Sequence, residues 1–425
     1  MKKDLEKTNG RMRNLIIATA GSVDDGKSTL IGRLLWDTQS LPDDKIAAIK
    51  KASKARGLDH LDFSFATDGL LAEREQGITI DVAHIYFSTK AKSYVIADTP
   101  GHLEYTRNMV TGASSSQAAI ILVDARKGVI EQTYRHFFIT NLLRIKEVVV
   151  AINKMDLVEY SQSIYEDIKR DFEALIQKQD YKEQRITFIP ISALKGDNVV
   201  KRSTKMDWFE GPTLLAHLEE LDLSDVYNTG MPRFPVQCVI RPKSESFPDF
   251  RAYAGRLYGG DFHVGDEVEV LPSRQKTKIK DIYFYDTKYD VAARRTSITL
   301  ALEDELDIGR GDMIVKVGDL PDIKKELNAF VCWMDEEALK PGMKYHLQHG
   351  VNSVLAKVEE IHHRILTDYS GVESVEQLEM NDIAELSLTL NRPIFSDPFK
   401  DHRTNGSFIL VDTKTNNTVG VGFIK

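Results

Sequence analysis

The stretch Gly21-Ser22-Val23-Asp24-Asp25-Gly26-Lys27-Ser28 fits the pattern GxxxxGK[ST] without a mismatch. It follows an apolar run at residues 14–20, typical of a buried strand, and opens a stretch at residues 29–36 that is typical of a helix. In this context the glycines let the backbone wrap around phosphate groups, and its N–H groups point at the anion. We therefore predict a phosphate-binding loop that extends to Thr29, in which Lys27 bridges the β- and γ-phosphates and Ser28 binds Mg²⁺.

Further apolar runs alternate with longer amphipathic stretches beyond this loop. The runs lie at residues 94–97, 119–123, 148–152 and 187–191. Continuous apolar strands separated by helical segments indicate a parallel sheet that is covered on both faces. The pattern predicts an α/β P-loop domain at residues 1–225.

The pattern changes near residues 231–235 to short alternating runs with glycine turns, for example at residues 256–261 and 264–270. Such runs are typical of a small all-β barrel, which we place at residues 230–319. A second change near Pro321 introduces another series of short strands, and we predict a second barrel at residues 320–425. The fold class predicted is thus an α/β domain with a parallel-rich sheet, followed by two small all-β barrels.

A second phosphate-side motif, Asp98-Thr99-Pro100-Gly101, follows the run at residues 94–97. A carboxylate at the position of Asp98 can hold Mg²⁺ through water, and Gly101 can present its N–H to the γ-phosphate. A short DxxG pattern alone is a weak signal because Asp and Gly favour any turn. Its place at a strand end downstream of Lys27 supports the assignment.

Two base-recognition loops are predicted at the ends of the next strands. Asn153-Lys154-Met155-Asp156 follows one strand, and Ser192-Ala193-Leu194 follows the other. The Asp156 carboxylate can accept both the N1–H and the exocyclic amine of guanine, an arrangement that adenine does not offer. The Ser192 loop can set a backbone N–H against guanine O6. Because ligands of open α/β sheets bind at the carboxyl ends of the strands, the order of the motifs predicts a GTP site.

Composition limits the other functional classes. The 425 residues carry a formal net charge of -8, with 64 acidic and 56 basic residues, which argues against a surface built mainly to hold nucleic acid. Cys238 and Cys332 are too few for a disulfide framework, and we predict that both are reduced. The charged N-terminus is not a signal peptide, and no apolar run reaches about 18 residues. We predict a cytoplasmic protein that binds neither nucleic acid nor membrane.

Together these elements resemble the signature set of the GTPases, and two segments are similar to the switches of translational GTPases. The segment at residues 74–80 (Arg-Glu-Gln-Gly-Ile-Thr-Ile) resembles their first switch. The resemblance implies that Thr79 completes Mg²⁺ coordination and reports the γ-phosphate. Asp98-Thr99-Pro100-Gly101-His102 resembles the second switch, in which His102 has the place that orients the attacking water. Catalytic roles are therefore predicted for Lys27, Thr79 and His102.

Longer stretches resemble the large, GTPase subunit of bacterial heteromeric sulfate adenylyltransferase. They lie at residues 68–83, 105–114, 124–129, 192–200, 210–212, 233–237 and 302–305. This resemblance covers most of the chain and is looser over the last hundred residues or so. Two features depart from the family pattern. Leu103-Glu104-Tyr105 follows His102 where Glu-Gln-Tyr is expected, and the loop at residues 242–250 is longer than usual.

The resemblance implies a subunit of a heteromeric enzyme of sulfate assimilation, the route to cysteine biosynthesis. A small adenylyltransferase subunit would carry the transfer in which ATP and sulfate give adenosine 5′-phosphosulfate and pyrophosphate. The GTPase subunit would hydrolyse GTP, with Mg²⁺, to drive this uphill reaction. Some relatives carry a fused adenylylsulfate kinase, but no second GxxxxGK[ST] motif follows Ser28.

Two other functions share the GTPase motifs. A translation elongation or termination factor acting on the ribosome or tRNA would carry all of them, but the acidic net charge and the family-like stretches argue against it. A plain regulatory GTPase with no coupled chemistry is disfavoured by the two predicted barrels.

Overall fold

The computed structural model describes residues 3–4, 14–55, 61, 63, 82–99, 106–222, 229–242 and 250–425. The chain divides into two compact units. The first, here called the α/β unit, comprises Met12–Asp222 and Leu366–Gly371. The second, the β unit, comprises Met1–Arg11, Leu223–Ile365 and Val372–Lys425. Among the described residues, no helix is both long enough and apolar enough to cross a membrane.

The α/β unit contains a six-stranded sheet in the order β3-β4-β2-β5-β6-β7. Its strands are β2 (Leu15–Ala20), β3 (Ala83–Ser88), β4 (Ser93–Asp98), β5 (Ala118–Asp124), β6 (Glu147–Asn153) and β7 (Arg185–Pro190). Its helices are α1 (Lys27–Asp37), α2 (Asp43–Ala55), α3 (Thr106–Ser114), α4 (Glu131–Leu142), α5 (Gln162–Ile176) and α6 (Leu214–Glu220), with a 3-10 turn at Met155–Val158. All neighbouring strands are parallel except β3 and β4. The predicted parallel-rich α/β fold is confirmed.

Burial explains which strands the sequence predicts and which it does not. Every residue of β5 and β6 is buried, so these strands are continuous apolar runs. The edge strand β3 buries only Phe87, and its other residues are exposed or half-buried. An antiparallel edge strand of this kind has no continuous apolar signal, and sequence analysis missed it.

The first sheet of the β unit contains nine strands. They are β1 (Lys3–Asp4), β8 (Arg233–Ile240), β9 (Ala252–Arg256), β10 (Phe262–His263), β11 (Glu267–Leu271), β12 (Gln275–Phe284), β13 (Thr287–Ala292), β14 (Ser297–Leu302) and β15 (Met313–Lys316). Strand β12 pairs with both β11 and β14, which closes six of the strands, β8, β9, β11, β12, β14 and β15, into a barrel. Inward-facing side chains such as Phe234, Phe262 and Leu300 fill its core.

The second sheet of the β unit contains seven strands. They are β16 (Asp322–Trp333), β17 (Lys344–His349), β18 (Asn352–Leu366), β19 (Gly371–Glu373), β20 (Ile383–Ser396), β21 (Ser407–Val411) and β22 (Thr418–Ile424). Pairing of β17 with β18 closes this sheet as well. Four of the seven strands are short, as predicted, but β16, β18 and β20 have 12, 15 and 14 residues. Register shifts within their ladders interrupt the alternation on which the prediction relied. Apart from β1, the first sheet lies within residues 233–316 and the second within residues 322–424, and the division at residues 230–319 and 320–425 stays a prediction.

A buried ion pair joins strand β8 of the first sheet to Asp397, the residue that follows β20 of the second sheet. Arg233 in β8 is 1% exposed, and its Nε and Nη2 each lie 2.9 Å from a carboxylate oxygen of Asp397. Nη2 also donates to Asp319 Oδ1 at 3.1 Å. Burial alone would raise the pKa of Asp397, but the hydrogen bonds and charge of Arg233 hold it below its ordinary value. A small apolar cluster containing Leu271 and Phe395 accompanies this contact.

A candidate nucleotide-binding site

The predicted phosphate loop lies between the buried strand β2 and helix α1. Its backbone requires glycine at residue 26, where φ is 96°. A Cβ at Gly26 would lie 2.5 Å from Nδ2 of Asn153, so a side chain is excluded by space as well as by conformation. The loop conformation is therefore tied to the neighbouring strand end that carries Asn153.

Lys27 begins helix α1 and is 8% exposed. Its Nζ donates to the carbonyl oxygen of Gly21 at 2.9 Å, which folds the side chain back over the loop. Burial lowers the pKa of Lys27, and the negative charges of Asp98 and Asp25 oppose this effect. An ammonium group held in this way can neutralise phosphate charge at the mouth of the loop.

Asp25 holds the loop together from within. Its carboxylate is buried and accepts the backbone N–H of Ser22 at 2.6 Å. Burial raises the pKa of Asp25 to about 6, and the Ser22 N–H and the ammonium of Lys127, 3.8 Å away, oppose this shift. The sequence predicted a phosphate-binding role for every residue of the loop, and the geometry gives the Asp25 side chain the role of fixing the loop backbone.

Strand β4 brings Asp98 beside the phosphate loop. Oδ1 of Asp98 accepts a hydrogen bond from the Thr19 hydroxyl at 3.0 Å, and the Thr99 hydroxyl donates to the carbonyl oxygen of Thr19 at 2.6 Å. Strand β2, which ends at this point, leads into the loop that carries Ser28. Hydroxyl and carboxylate oxygens are the donors that Mg²⁺ prefers, so Ser28 and Asp98 fit the predicted metal role. The other predicted residues of this region, Thr79, Pro100, Gly101 and His102, lie outside the described part of the chain.

The two base-recognition loops lie at the next strand ends; the Asn153 loop contacts the phosphate loop, and the Ser192 loop contacts the Asn153 loop. The Asn153 side chain donates to the carbonyl of Asp25 at 2.7 Å and accepts the N–H of Ala193 at 2.9 Å, so one amide connects three loops. Lys154 Nζ donates to the carbonyl of Asp24. The structure thus brings the four predicted segments together wherever it describes them.

Asp156, the predicted guanine acceptor, follows Met155 on the short 3-10 turn. Its Oδ1 accepts the hydroxyl of Ser192 at 2.6 Å. That hydroxyl in turn accepts the N–H of Lys195 at 3.2 Å. The hydrogen bond between the two loops fixes the orientation of the carboxylate, as bidentate recognition of a base requires.

Sequence analysis missed an ionic cluster at the end of β5. Asp124 is buried, and the guanidinium of Arg126 donates to it through Nε at 3.0 Å and Nη2 at 2.7 Å. Lys154 Nζ lies 2.9 Å from its Oδ2. Burial would raise the pKa of Asp124, but these partners outweigh burial and hold it well below its usual range. The carboxylate positions Lys154, and the signal available in the sequence was an Asp at a strand end on the same sheet edge.

Replacing Asp156 with Asn is expected to weaken GTP binding by about 1.5–3 kcal/mol, because a charge-assisted hydrogen bond to the base is lost. Xanthosine nucleotides should be favoured instead, since their C2 carbonyl accepts from an amide. Competition binding with GTP, ATP and XTP measures both changes. Equal affinity of the unmodified protein for ATP and GTP would contradict the assignment of this loop.

The fold and the site together define a P-loop GTPase of the translation-factor class. The family model described as the Elongation factor Tu GTP binding domain matches residues 11–230. The model described as GTP-eEF1A C-terminal domain-like matches residues 326–425. These matches place a GTPase domain before the all-β part of the chain.

Curated relatives identify the family to which the chain belongs within this class. The chain is 47% identical over 410 residues to Sulfate adenylyltransferase subunit 1 of Alteromonas mediterranea, an alignment that covers 96% of this chain and 85% of that protein. It is 45% identical over 412 residues to the Bifunctional enzyme CysN/CysC of Mycobacterium tuberculosis (strain ATCC 25618 / H37Rv), with coverage of 96% and 67%. The chain belongs to the sulfate adenylyltransferase subunit 1 family.

Proposed function

We propose that this chain is the GTP-hydrolysing subunit of a sulfate adenylyltransferase. GTP hydrolysis would drive the formation of adenosine 5′-phosphosulfate and pyrophosphate from ATP and sulfate. The observation that carries the proposal is the hydrogen bond of 2.6 Å from the Ser192 hydroxyl to Asp156, which joins the two proposed base-recognition loops in a chain 47% identical to a protein named Sulfate adenylyltransferase subunit 1. The site binds GTP with Mg²⁺, the usual partner of GTP in such domains.

The roles of the individual residues follow from their chemistry. Lys27 neutralises charge on the β- and γ-phosphates, and the backbone N–H groups of the loop surround them. Ser28, Thr79 and Asp98 would hold Mg²⁺, which would supply charge neutralisation at the phosphates. His102 orients the attacking water. Asp156 and the Ser192 loop select guanine over adenine.

The name "subunit 1" of the relatives indicates a complex with a second subunit. We propose that this partner is a small adenylyltransferase subunit that binds ATP and sulfate. The present chain has one GxxxxGK[ST] motif, and its base-recognition residues commit that motif to GTP. This supports the proposal that the ATP site for adenylyl transfer lies on the partner subunit.

Coupling between the two reactions requires the GTP- and GDP-bound forms to interact differently with the partner. A ligand shifts an equilibrium only by its differential affinity for the two states. In GTPases the γ-phosphate orders the switch segments, and hydrolysis releases them. The segments around Thr79 and His102 are the proposed switches, and the barrels would carry the change to the partner.

The chain alone is expected to make no adenosine 5′-phosphosulfate from ATP and sulfate. With the small subunit, GTP turnover should rise and product yield should depend on it. The assay measures product without pyrophosphatase, and compares GTP with a non-hydrolysable analogue. An equal yield with either nucleotide would show that hydrolysis does not drive the reaction.

The same assay distinguishes the alternative function in translation. If ribosomes, and not the small subunit, stimulate GTP hydrolysis, the sulfate-activation proposal fails and the translation-factor proposal replaces it. The Asp156→Asn variant serves as the matched control in both arms, because it should respond to XTP in whichever reaction is the physiological one.

A further inference from the structure

Arg33 connects the phosphate-binding helix to the second base-recognition loop. It lies in α1, nearly two turns after Lys27, and its Nε donates to Asp37 at 2.8 Å within the same helix. Its Nη1 donates to the carbonyl oxygen of Leu194 at 3.4 Å. One planar side chain therefore contacts both the helix that follows the phosphate loop and the loop that is proposed to contact guanine O6.

Close packing fixes the guanidinium of Arg33. Its Cζ lies 5.4 Å from the centroid of the Phe63 ring, whose side chain is buried. A Cβ placed on Gly196 would lie 2.2 Å from Nη2 and 2.4 Å from Cζ, so the guanidinium lies against bare backbone. Gly196 also has a φ of 83°, which favours glycine. The absence of a side chain at Gly196 leaves the space that the guanidinium of Arg33 occupies.

The hydrogen bond to Leu194 completes a set that holds successive peptide groups of the loop. The N–H of Ala193 donates to Asn153 Oδ1 at 2.9 Å, and the N–H of Gly196 donates to the carbonyl of Ser192 at 2.7 Å. Arg33 holds the carbonyl that lies between these two amides. Recognition of a base oxygen by a backbone N–H requires peptide planes of fixed orientation, because hydrogen bonds weaken steeply with angle.

We propose that Arg33 is a positioning residue for guanine selection: it holds the loop at residues 192–196 so that a backbone N–H of the loop meets guanine O6. This inference rests on the proposed role of that loop. The planar guanidinium makes two hydrogen bonds in fixed directions and lies over the Phe63 ring, an arrangement that a lysine ammonium does not reproduce. A lysine at this position keeps the charge and loses the arrangement.

The test compares Arg33→Lys and Arg33→Met with the unmodified protein in binding to GTP, ITP and ATP. ITP keeps O6 and N1–H and lacks the exocyclic amine that Asp156 accepts. Both variants should bind GTP and ITP about tenfold more weakly, the size expected for the loss of one charge-assisted hydrogen bond. ATP affinity should stay the same, so the GTP/ATP preference falls while the GTP/ITP ratio is constant.

Arg170→Lys is the matched control, since Arg170 is exposed on α5 and pairs with Asp167 within one helix. It should leave all three affinities unchanged. Thermal unfolding without nucleotide checks that the Arg33 variants are folded. An unchanged GTP/ATP preference in folded Arg33→Lys would overturn the inference while GTP binding itself stood. Equal weakening of all three nucleotides would also overturn it, because it would indicate a general effect on the phosphate site. If the unmodified protein itself bound GTP, ITP and ATP equally, the result would contradict the proposed base recognition and not only the role of Arg33.

Discussion

Lys27→Ala should lose GTP affinity by about a hundredfold or more, whereas His102→Ala should keep that affinity and lose about a hundredfold or more in turnover. Lys27 is buried in the phosphate loop and bonded to Gly21, so its charge acts on the phosphates of the bound ground state. His102 is proposed to act on the attacking water. Interactions present only in the transition state change turnover and leave ground-state binding intact.

Equilibrium binding of GTP and single-turnover hydrolysis at saturating GTP separate these two effects. Lys127→Ala is a useful control, because its ammonium lies 3.8 Å from Asp25 and is half-exposed, outside the proposed catalytic set. It should change both quantities far less than Lys27→Ala. Normal hydrolysis by His102→Ala in the presence of the small subunit would show that the water-orienting role belongs to another group.

Arg233→Met is expected to destabilise the β unit by about 3–5 kcal/mol, the cost of leaving a buried carboxylate without its partner. The guanidinium contacts Asp397 through two nitrogens and Asp319 through one. Removing it leaves Asp397, itself 5% exposed, without its counter-charge. The change preserves much of the side-chain volume, so the expected loss is mainly electrostatic.

Urea unfolding with far-UV circular dichroism measures the change in transition midpoint. Lys357→Met is the matched control, because Lys357 pairs with Glu359 at 2.8 Å and both side chains are exposed. The free energy of unfolding of this control variant should fall by no more than about 1 kcal/mol. Adding Asp397→Asn to Arg233→Met should recover part of the stability, since the uncompensated charge is then removed. A loss for Arg233→Met no greater than that of Lys357→Met would contradict the proposed electrostatic role.

Most of the α/β unit could be predicted from the sequence, because its buried strands are continuous apolar runs and its proposed binding residues lie in short motifs. The apolar runs became β2, β4, β5, β6 and β7 with ends shifted by only one or two residues. The motif residues lie at strand ends, and parallel topology alone brings these ends together. The exposed β3 and the long bulged strands of the last sheet lack a regular pattern, so β3 was missed and the lengths of the long strands were not predicted.

The partners of the site residues were beyond local analysis. Arg33 contacts Leu194, and Arg233 contacts Asp397, across more than a hundred residues of sequence in each case. A single arginine in a helix or strand resembles an ordinary surface residue in the sequence. Only the fold shows that its guanidinium is packed and which carboxylate or carbonyl it meets.

The order of strands in the α/β unit has a consequence for how the protein assembles during synthesis. Strand β2, next to the phosphate loop, pairs with β4 and β5, which begin at Ser93 and Ala118. The side-chain oxygen of Asn153 gains its hydrogen-bond donor, the N–H of Ala193, only after Ala193 has been synthesised. Parallel pairings of such separation form slowly because chain entropy is lost before contacts compensate for it. The phosphate loop leaves the ribosome early, but the contacts that hold it reach residues synthesised much later, so we expect the complete site to form only after Ala193 has been made.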